Sequence, residues 1–266
     1  MTEELSLKRL TFAFSPGKIL FDDFSFTLFK GDFAVLAGCN GCGKSTFMRL
    51  ACGFYTPQKG SVILRGRALR EYSGMERSSL LGFVPQNLPS TAGMTVAELV
   101  LTGRAGANLL FGLPVPSRKD RLLMEKALAD MDILHLAGRS CDSLSGGEFK
   151  RATIAAILAR EPEILLLDEP CSFLDYPHSE NLMRILSSLQ KERSLAICMI
   201  SHELALPAKY ASRFVLMKDG AILADGTPEK VLHPDILEED YSCPFEVLTD
   251  RNGNKVPVTG SCKDRS

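Results

Sequence analysis

Nine consecutive residues, Gly38-Cys39-Asn40-Gly41-Cys42-Gly43-Lys44-Ser45-Thr46, have the types and spacing needed to hold a phosphate. The glycines let the backbone turn tightly and aim successive N–H groups at an anion. Lys44 can reach the outer phosphates, and the Ser45 hydroxyl can ligate Mg²⁺. Cys39 and Cys42 also have C-x-x-C spacing, but no second pair at metal-site spacing follows, so the phosphate loop accounts for the stretch. Loop N–H groups and Lys44 would surround Cys42 with positive charge, which is expected to favour its thiolate and open it to a maleimide. A Cys39–Cys42 disulfide under oxidation is the lesser expectation.

Two further stretches could complete the chemistry. Ile164-Leu165-Leu166-Leu167-Asp168-Glu169 is an apolar run ending in two carboxylates. Beside a phosphate loop, an Asp at a strand end is placed to hold Mg²⁺, and the adjacent Glu can take a proton from an attacking water. Leu144-Ser145-Gly146-Gly147-Glu148 opens a helix. Ser145-x-x-Glu148 is a capping box, which a purely structural cap would explain. Two consecutive glycines at the helix start also expose N–H groups that suit an anion.

These residues need a strand-and-helix scaffold, and the remaining pattern supplies one. Phe33–Ala37 reads as a buried strand feeding the phosphate loop, and Phe47–Cys52 as the helix after it. Residues 5–36 read as strands, with a turn at Ser15-Pro16-Gly17. Gly60–Leu64 and Leu81–Val84 are further strands. From about residue 88 to 160 the pattern turns helical. Thr95-x-x-Glu98 and Ser117-x-x-Asp120 are capping boxes opening two helices, and Glu148–Arg160 is a third. Gly103–Pro116 between the first two reads as loop. Strands then resume at Glu163–Leu167, Ser194–Ile200 and Phe214–Met217, with helices at His178–Gln190 and Glu203–Tyr210 and a helix start at Thr227-Pro228. Phe245–Leu248 and Lys255–Val258 flank Asn252-Gly253, a hairpin signal, and Ser261–Ser266 read as a disordered tail.

The 266 residues suffice for one large domain or two small ones, with a sizeable core. Net charge is −1 and there is no basic block, which argues against a dedicated nucleic-acid binder. No apolar run is long enough to span a bilayer, and the acidic N-terminus lacks a signal-peptide core, so a cytoplasmic location is expected. The eight cysteines are expected to be free thiols.

Taken together, these stretches resemble the nucleotide-binding subunits of ABC transporters over nearly the whole chain. Gly38–Thr46 is similar to the Walker A loop, Leu144–Glu148 to the signature motif, Ile164–Glu169 to Walker B and Ser172-Phe173-Leu174-Asp175 to the D-loop. Gln86 falls at the Q-loop glutamine, His202 at the switch histidine, and Phe14 where the family stacks an aromatic on adenine; Phe12, on the same face, leaves a core reading of Phe14 open. The resemblance implies an α/β P-loop NTPase of ABC type: a RecA-like core, an antiparallel β subdomain and an inserted helical subdomain. It places an ATPase domain over 1–240, with the helical insertion at about 88–160, and a C-terminal hairpin and tail over 241–266.

The resemblance also implies a mechanism. Two such domains close head to tail around two ATP, each held between one Walker A loop and the partner's Ser145, Gly146, Gly147 and Glu148. Glu169, His202, Lys44 and Gln86 would be catalytic, with Mg²⁺ held by Ser45, Gln86 and Asp168. Permease subunits would place the chain on the cytoplasmic face of the membrane, with an extracytoplasmic binding protein as indirect partner. Glu148 stands where Gln is commonest, and Cys39, Cys42 and Cys171 replace commoner residues, but none removes a catalytic group. Thr95–Arg104, ending in Gly-Arg, and the C-terminal hairpin are similar to segments of importers of ferric siderophores, haem and cobalamin. The rival reading is an ABC ATPase without a transport role, such as that of iron–sulfur cluster assembly.

Overall fold

The computed structural model describes residues 2–15, 17–88, 91, 93–104, 109–110, 113–114, 116–251, 253 and 255–260. In chain order its elements are β1 (Glu3–Ala13), β2 (Ile19–Phe29), β3 (Phe33–Ala37), α1 (Lys44–Ala51), β4 (Lys59–Leu64), β5 (Arg67–Ala68), α2 (Gly74–Leu80), β6 (Leu81–Val84) and α3 (Val96–Thr102). Then come β7 (Leu109–Leu110), β8 (Leu113–Pro114), α4 (Arg118–Asp130), α5 (Gly146–Leu158), β9 (Ile164–Asp168), α6 (Tyr176–Arg193), β10 (Ala196–Ile200) and α7 (Ala205–Ala208). The chain closes with β11 (Arg213–Lys218), β12 (Ala221–Gly226), α8 (Pro228–Val231), α9 (Pro234–Tyr241), β13 (Phe245–Thr249) and β14 (Lys255–Thr259).

A six-stranded sheet in the order β12-β11-β3-β10-β9-β6 forms the centre. Its strands are parallel except for β12, which pairs antiparallel with β11. β3, β9 and β10 are buried along their whole length, as expected of parallel strands covered on both faces. Alternate side chains still divide between two cores. Phe33, Val35 and Ala37 pack with α3–α6, while Ala34 and Leu36 pack with α1 and the inner faces of β1 and β2. The second sheet, β2-β1-β4-β5, is antiparallel and lies over that second core.

The three expected capping boxes form at Thr95/Glu98, Ser117/Asp120 and Ser145/Glu148. With Ser145 as N-cap, α5 starts two residues before the expected Glu148. Helix α7 is shorter than the expected Glu203–Tyr210. Two helices were not anticipated, although each has a local signal: Ser73-x-x-Glu76 makes a capping box for α2, and Pro234 occupies the first turn of α9. Within the expected Gly103–Pro116 loop, β7 and β8 form a short antiparallel pair. Residues 105–108, 111–112 and 115 of that loop, Asn252 of the hairpin turn and the tail Ser261–Ser266 lie outside the described residues.

Candidate functional site

Four strand ends finish level at one edge of the central sheet. The register pairs Ile200 with both Leu36 and Asp168, and Val84 with Leu167. Ligands of open parallel sheets bind beyond such carboxyl-terminal ends. The segments leaving this edge are Gly38–Gly43 after β3, Pro85-Gln86 after β6, Glu169 after β9 and Ser201-His202 after β10.

Close backbone and ring approaches shape the loop after β3. Gly38 has φ 137°, and a Cβ there would lie 2.1 Å from the Met217 carbonyl oxygen. Gly43 has φ 112°, and its Cβ would lie 2.8 Å from the Phe21 ring. Neither position admits a side chain without displacing β11 or β2. Gly43 is also the N-cap of α1 and offers no side-chain cap, so first-turn N–H groups are left for an anion. The buried Lys44 donates from Nζ to the carbonyls of Gly38 at 2.7 Å and Cys39 at 2.9 Å. Those bonds hold the ammonium within the curl of the loop.

An open cleft of about 410 Å³ lies against this loop. Its walls are Phe14, Lys18, Ile19, Leu20, Asn40, Gly41, Gly43, Lys44, Ser45, Thr46, Glu169 and His202. Phe12 is buried, whereas Phe14 is 58% exposed and stands edge-on to Phe12 and Tyr55 with ring centroids 5.1 and 6.0 Å away. An exposed ring at the mouth of a cleft is free to stack on a flat ligand.

Both oxygens of Glu169 are engaged. Gln86 donates from Nε2 to Oε2 at 2.8 Å, and His202 Nε2 lies 2.7 Å from Oε1. The Glu169 backbone is left-handed, at φ 48°, which turns this residue away from the line of β9. Asp168, 9% exposed, is buried behind it, and its Oδ1 has no hydrogen-bond partner. Burial and then the neighbouring Glu169 push the Asp168 carboxyl above its usual range. A buried carboxylate oxygen without a donor fits a hard cation. Among the described residues no cluster of three His, Cys, Asp or Glu could hold a metal. Mg²⁺ needs none, since one carboxylate, a hydroxyl and phosphate oxygens suffice.

The expected site residues divide into four groups, the last being Gly38 and the two loop cysteines. Phe14, Asn40, Gly41, Gly43, Lys44, Ser45, Thr46, Glu169 and His202 share the cleft wall. Gln86 and Asp168 are not on that wall; Gln86 is hydrogen-bonded to Glu169. Ser145, Gly146, Gly147 and Glu148 do not line the cleft. There the Ser145 hydroxyl accepts from the Glu148 N–H at 3.3 Å and the Glu148 carboxylate accepts from the Ser145 N–H at 2.8 Å. Gly146 is exposed with open space above it. Sequence reasoning missed Lys18, Ile19 and Leu20. They reach the cleft because β2 pairs Ile19 with Ala13, beside Phe14, and hairpin register is not legible from composition.

The two loop cysteines correct an expectation. Gly38, Cys39 and Cys42 do not line the cleft. Cys39 Sγ donates to the Asp240 carbonyl at 3.2 Å, toward α9. Cys42 is buried with Sγ 3.7 Å from Lys44 Nζ, and burial outweighs that ammonium, pushing the thiol pKa up rather than down. The expected reactive thiolate is therefore not there. The seven described cysteines are all free.

The sequence profile of the ABC transporter family matches residues 21–172 of this chain. The chain belongs to the ABC transporter family. It is the ATP-binding subunit and hydrolyses ATP for transport. Over 231 residues it is 35% identical to the ferric enterobactin transport ATP-binding protein FepC of Escherichia coli, covering 87% of this chain and 82% of that one. Over 246 residues it is 35% identical to the hemin import ATP-binding protein HmuV of Nocardia farcinica, covering 92% and 82%. Its fold matches an inward-facing ABC transporter assigned to the metal-chelate type, with TM-score 0.82 and 26% identity over 98% of each chain. A dimeric cassette, MJ0796 bound to ADP and Pi, shares the fold with TM-score 0.70 and 23% identity over 84% of this chain and 98% of that one. ABC cassettes dimerise and pair with permease subunits in transporter complexes. Among the described residues no helix is long and apolar enough to cross a membrane.

Proposed function

We propose that this cassette energises import of an iron complex, either a ferric siderophore or haem, or of cobalamin, through a permease on the cytoplasmic face of the membrane. Likeness to the ferric enterobactin and hemin ATP-binding proteins over most of the chain supports the cargo class. The cargo itself is read by the permease and an extracytoplasmic binding protein. The observation that carries the hydrolytic reading is Glu169, fixed at the cleft wall by Gln86 and His202.

Phe14 stacks on the adenine, and Lys44 with the first-turn N–H groups of α1 binds the phosphates. Ser45, Asp168 and Gln86 would hold Mg²⁺, which would neutralise phosphate charge. Glu169 accepts the proton of the attacking water while His202 orients it. The second copy supplies Ser145, Gly146, Gly147 and Glu148, whose helix start faces the phosphates across the dimer. Glu169→Gln should keep ATP binding, trap an ATP-bound dimer and lower turnover by about 10²–10⁴-fold; wild-type turnover would place the base elsewhere. Membrane vesicles holding the permease should take up a ferric siderophore, haem or cobalamin only with this chain and ATP. Uptake of none of the three would overturn the cargo class.

A further inference from the structure

Lys150 is among the buried charges to which the proposed mechanism gives no task. Lys150 lies on α5 and is 5% exposed, although lysine is among the side chains least often fully buried. Ala152, Ile154, Ala155 and Leu158 of α5 belong to the helical core, and Arg151 next to Lys150 is buried as well. An apolar residue at such a place is usually neutral or stabilising compared with a buried ion, so stability does not explain the ammonium.

Its contacts lead to the hydrolytic residues. Lys150 Nζ is 3.4 Å from the main-chain oxygen of Gln86. That is long for a hydrogen bond, yet a buried ammonium against a carbonyl dipole remains a strong attraction. The other titratable groups facing Lys150 are Cys171, Asp168 and Glu169. From Gln86 the path continues through Nε2 to Glu169 Oε2 at 2.8 Å, and from Oε1 to His202 Nε2 at 2.7 Å. One continuous set of contacts thus runs from α5, through the segment after β6, to the carboxylate after β9 and the imidazole after β10. Lys150 stands about a turn and a half into the helix whose exposed start is Ser145-Gly146.

We infer that Lys150 is a positioning residue for hydrolysis, tying the Gln86 turn, and through it Glu169, to the helix that bears Ser145–Gly147. The inference rests on the reading of Glu169 as proton acceptor. It adds a link between the two sites of a dimer. The start of α5 meets nucleotide held by the partner, whereas Lys150 acts on Glu169 of its own subunit. Occupancy of one site would then set the base of the other, a coupling carried by a rigid helix and a polar chain.

The test uses the full chain with Lys150→Met, Lys150→Arg and Glu169→Gln. MgATP affinity, kcat, KM, the Hill coefficient for ATP and the thermal midpoint are measured for each. Lys150→Met should bind MgATP within about twofold of wild type, melt no lower, and lose at least about tenfold in kcat with little change in KM. Its Hill coefficient should fall toward one, and Lys150→Arg should recover most of both. A Lys150→Met kcat within twofold of wild type overturns the proposal. So does a joint loss of affinity, melting midpoint and kcat that Lys150→Arg fails to rescue, since that is the mark of packing alone. If Glu169→Gln retains turnover, the base assignment fails; if Glu169→Gln is inactive and Lys150→Met is normal, the positioning role alone fails.

Discussion

Two helix starts carry the proposed phosphate contacts of this cassette, and they are finished differently. Helix α1 begins at Gly43, left-handed and without a side-chain cap, with Lys44 turned into its loop. Helix α5 begins at Ser145 with a complete capping box that satisfies donors on both sides. Main-chain donors left unsatisfied at a helix start cost free energy until a ligand takes them. The uncapped start of α1, which lines its own cleft, therefore suits a primary anion site. The start of α5 is already stable, does not line that cleft and keeps Gly146 open, which suits a surface that completes a site on another copy.

The largest expected effect separates these roles. Ser145→Arg should leave ATP affinity near wild type yet lower turnover by about 10²–10³-fold, the usual scale for losing preorganised donors at a reacting phosphate. Light scattering should show no ATP-dependent dimer. A normal dimer in this variant would mean that α5 does not meet the partner's nucleotide. Next is Lys44→Ala, which removes a charged donor worth about 1.5–3 kcal/mol and should weaken ATP binding by roughly 10–100-fold. Equilibrium titration with a fluorescent nucleotide checks it. Unchanged binding would shift the anion site off the start of α1.

The third effect is on stability. Glu148→Ala deletes half of the α5 capping box and should cost about 1 kcal/mol in denaturant unfolding. No comparable cap exists at Gly43 to delete. A stability unchanged by Glu148→Ala would show that the box contributes nothing to α5.

The last effect, of similar size, concerns the capped start of another helix, α4. Asp120 accepts from the Ser117 N–H and hydroxyl and pairs with Arg104 at 2.8 Å. Bonds from Ser117 first, then from Arg104, lower its carboxyl to about 2. A depressed folded-state pKa gives stability that is complete above the ordinary carboxylate value and is lost as pH falls through about 2. Asp120→Asn should therefore be less stable than wild type at pH 7 by about 1 kcal/mol, with the gap closing toward pH 2. Parallel pH–stability curves would refute it.

Much of both helix starts was legible because capping is local. Ser145-x-x-Glu148, Thr95-x-x-Glu98 and Ser117-x-x-Asp120 are contacts between residues three apart, and all three form. The same logic exposes α2 through Ser73-x-x-Glu76, a signal present and not used. The cleft was only partly legible. Cys42 shows why: its positive neighbours could be read from the loop, but its burial comes from elements far along the chain, and desolvation dominates.

By itself, then, the sequence determined the phosphate loop, the apolar strands that lead into Gly38 and Glu169, and the capped starts of the helices. Each depends on backbone geometry over a few residues, where spacing and side-chain type settle the outcome. Only tertiary structure brought Gln86 and His202 onto opposite oxygens of Glu169, set Lys150 against the Gln86 carbonyl and paired Ile19 with Ala13. Those contacts depend on the order β3-β10-β9-β6 and on hairpin register, which bring distant strand ends level at one edge. Burial then decides which charges stand in water and which in the low-dielectric interior, and no local spacing specifies that.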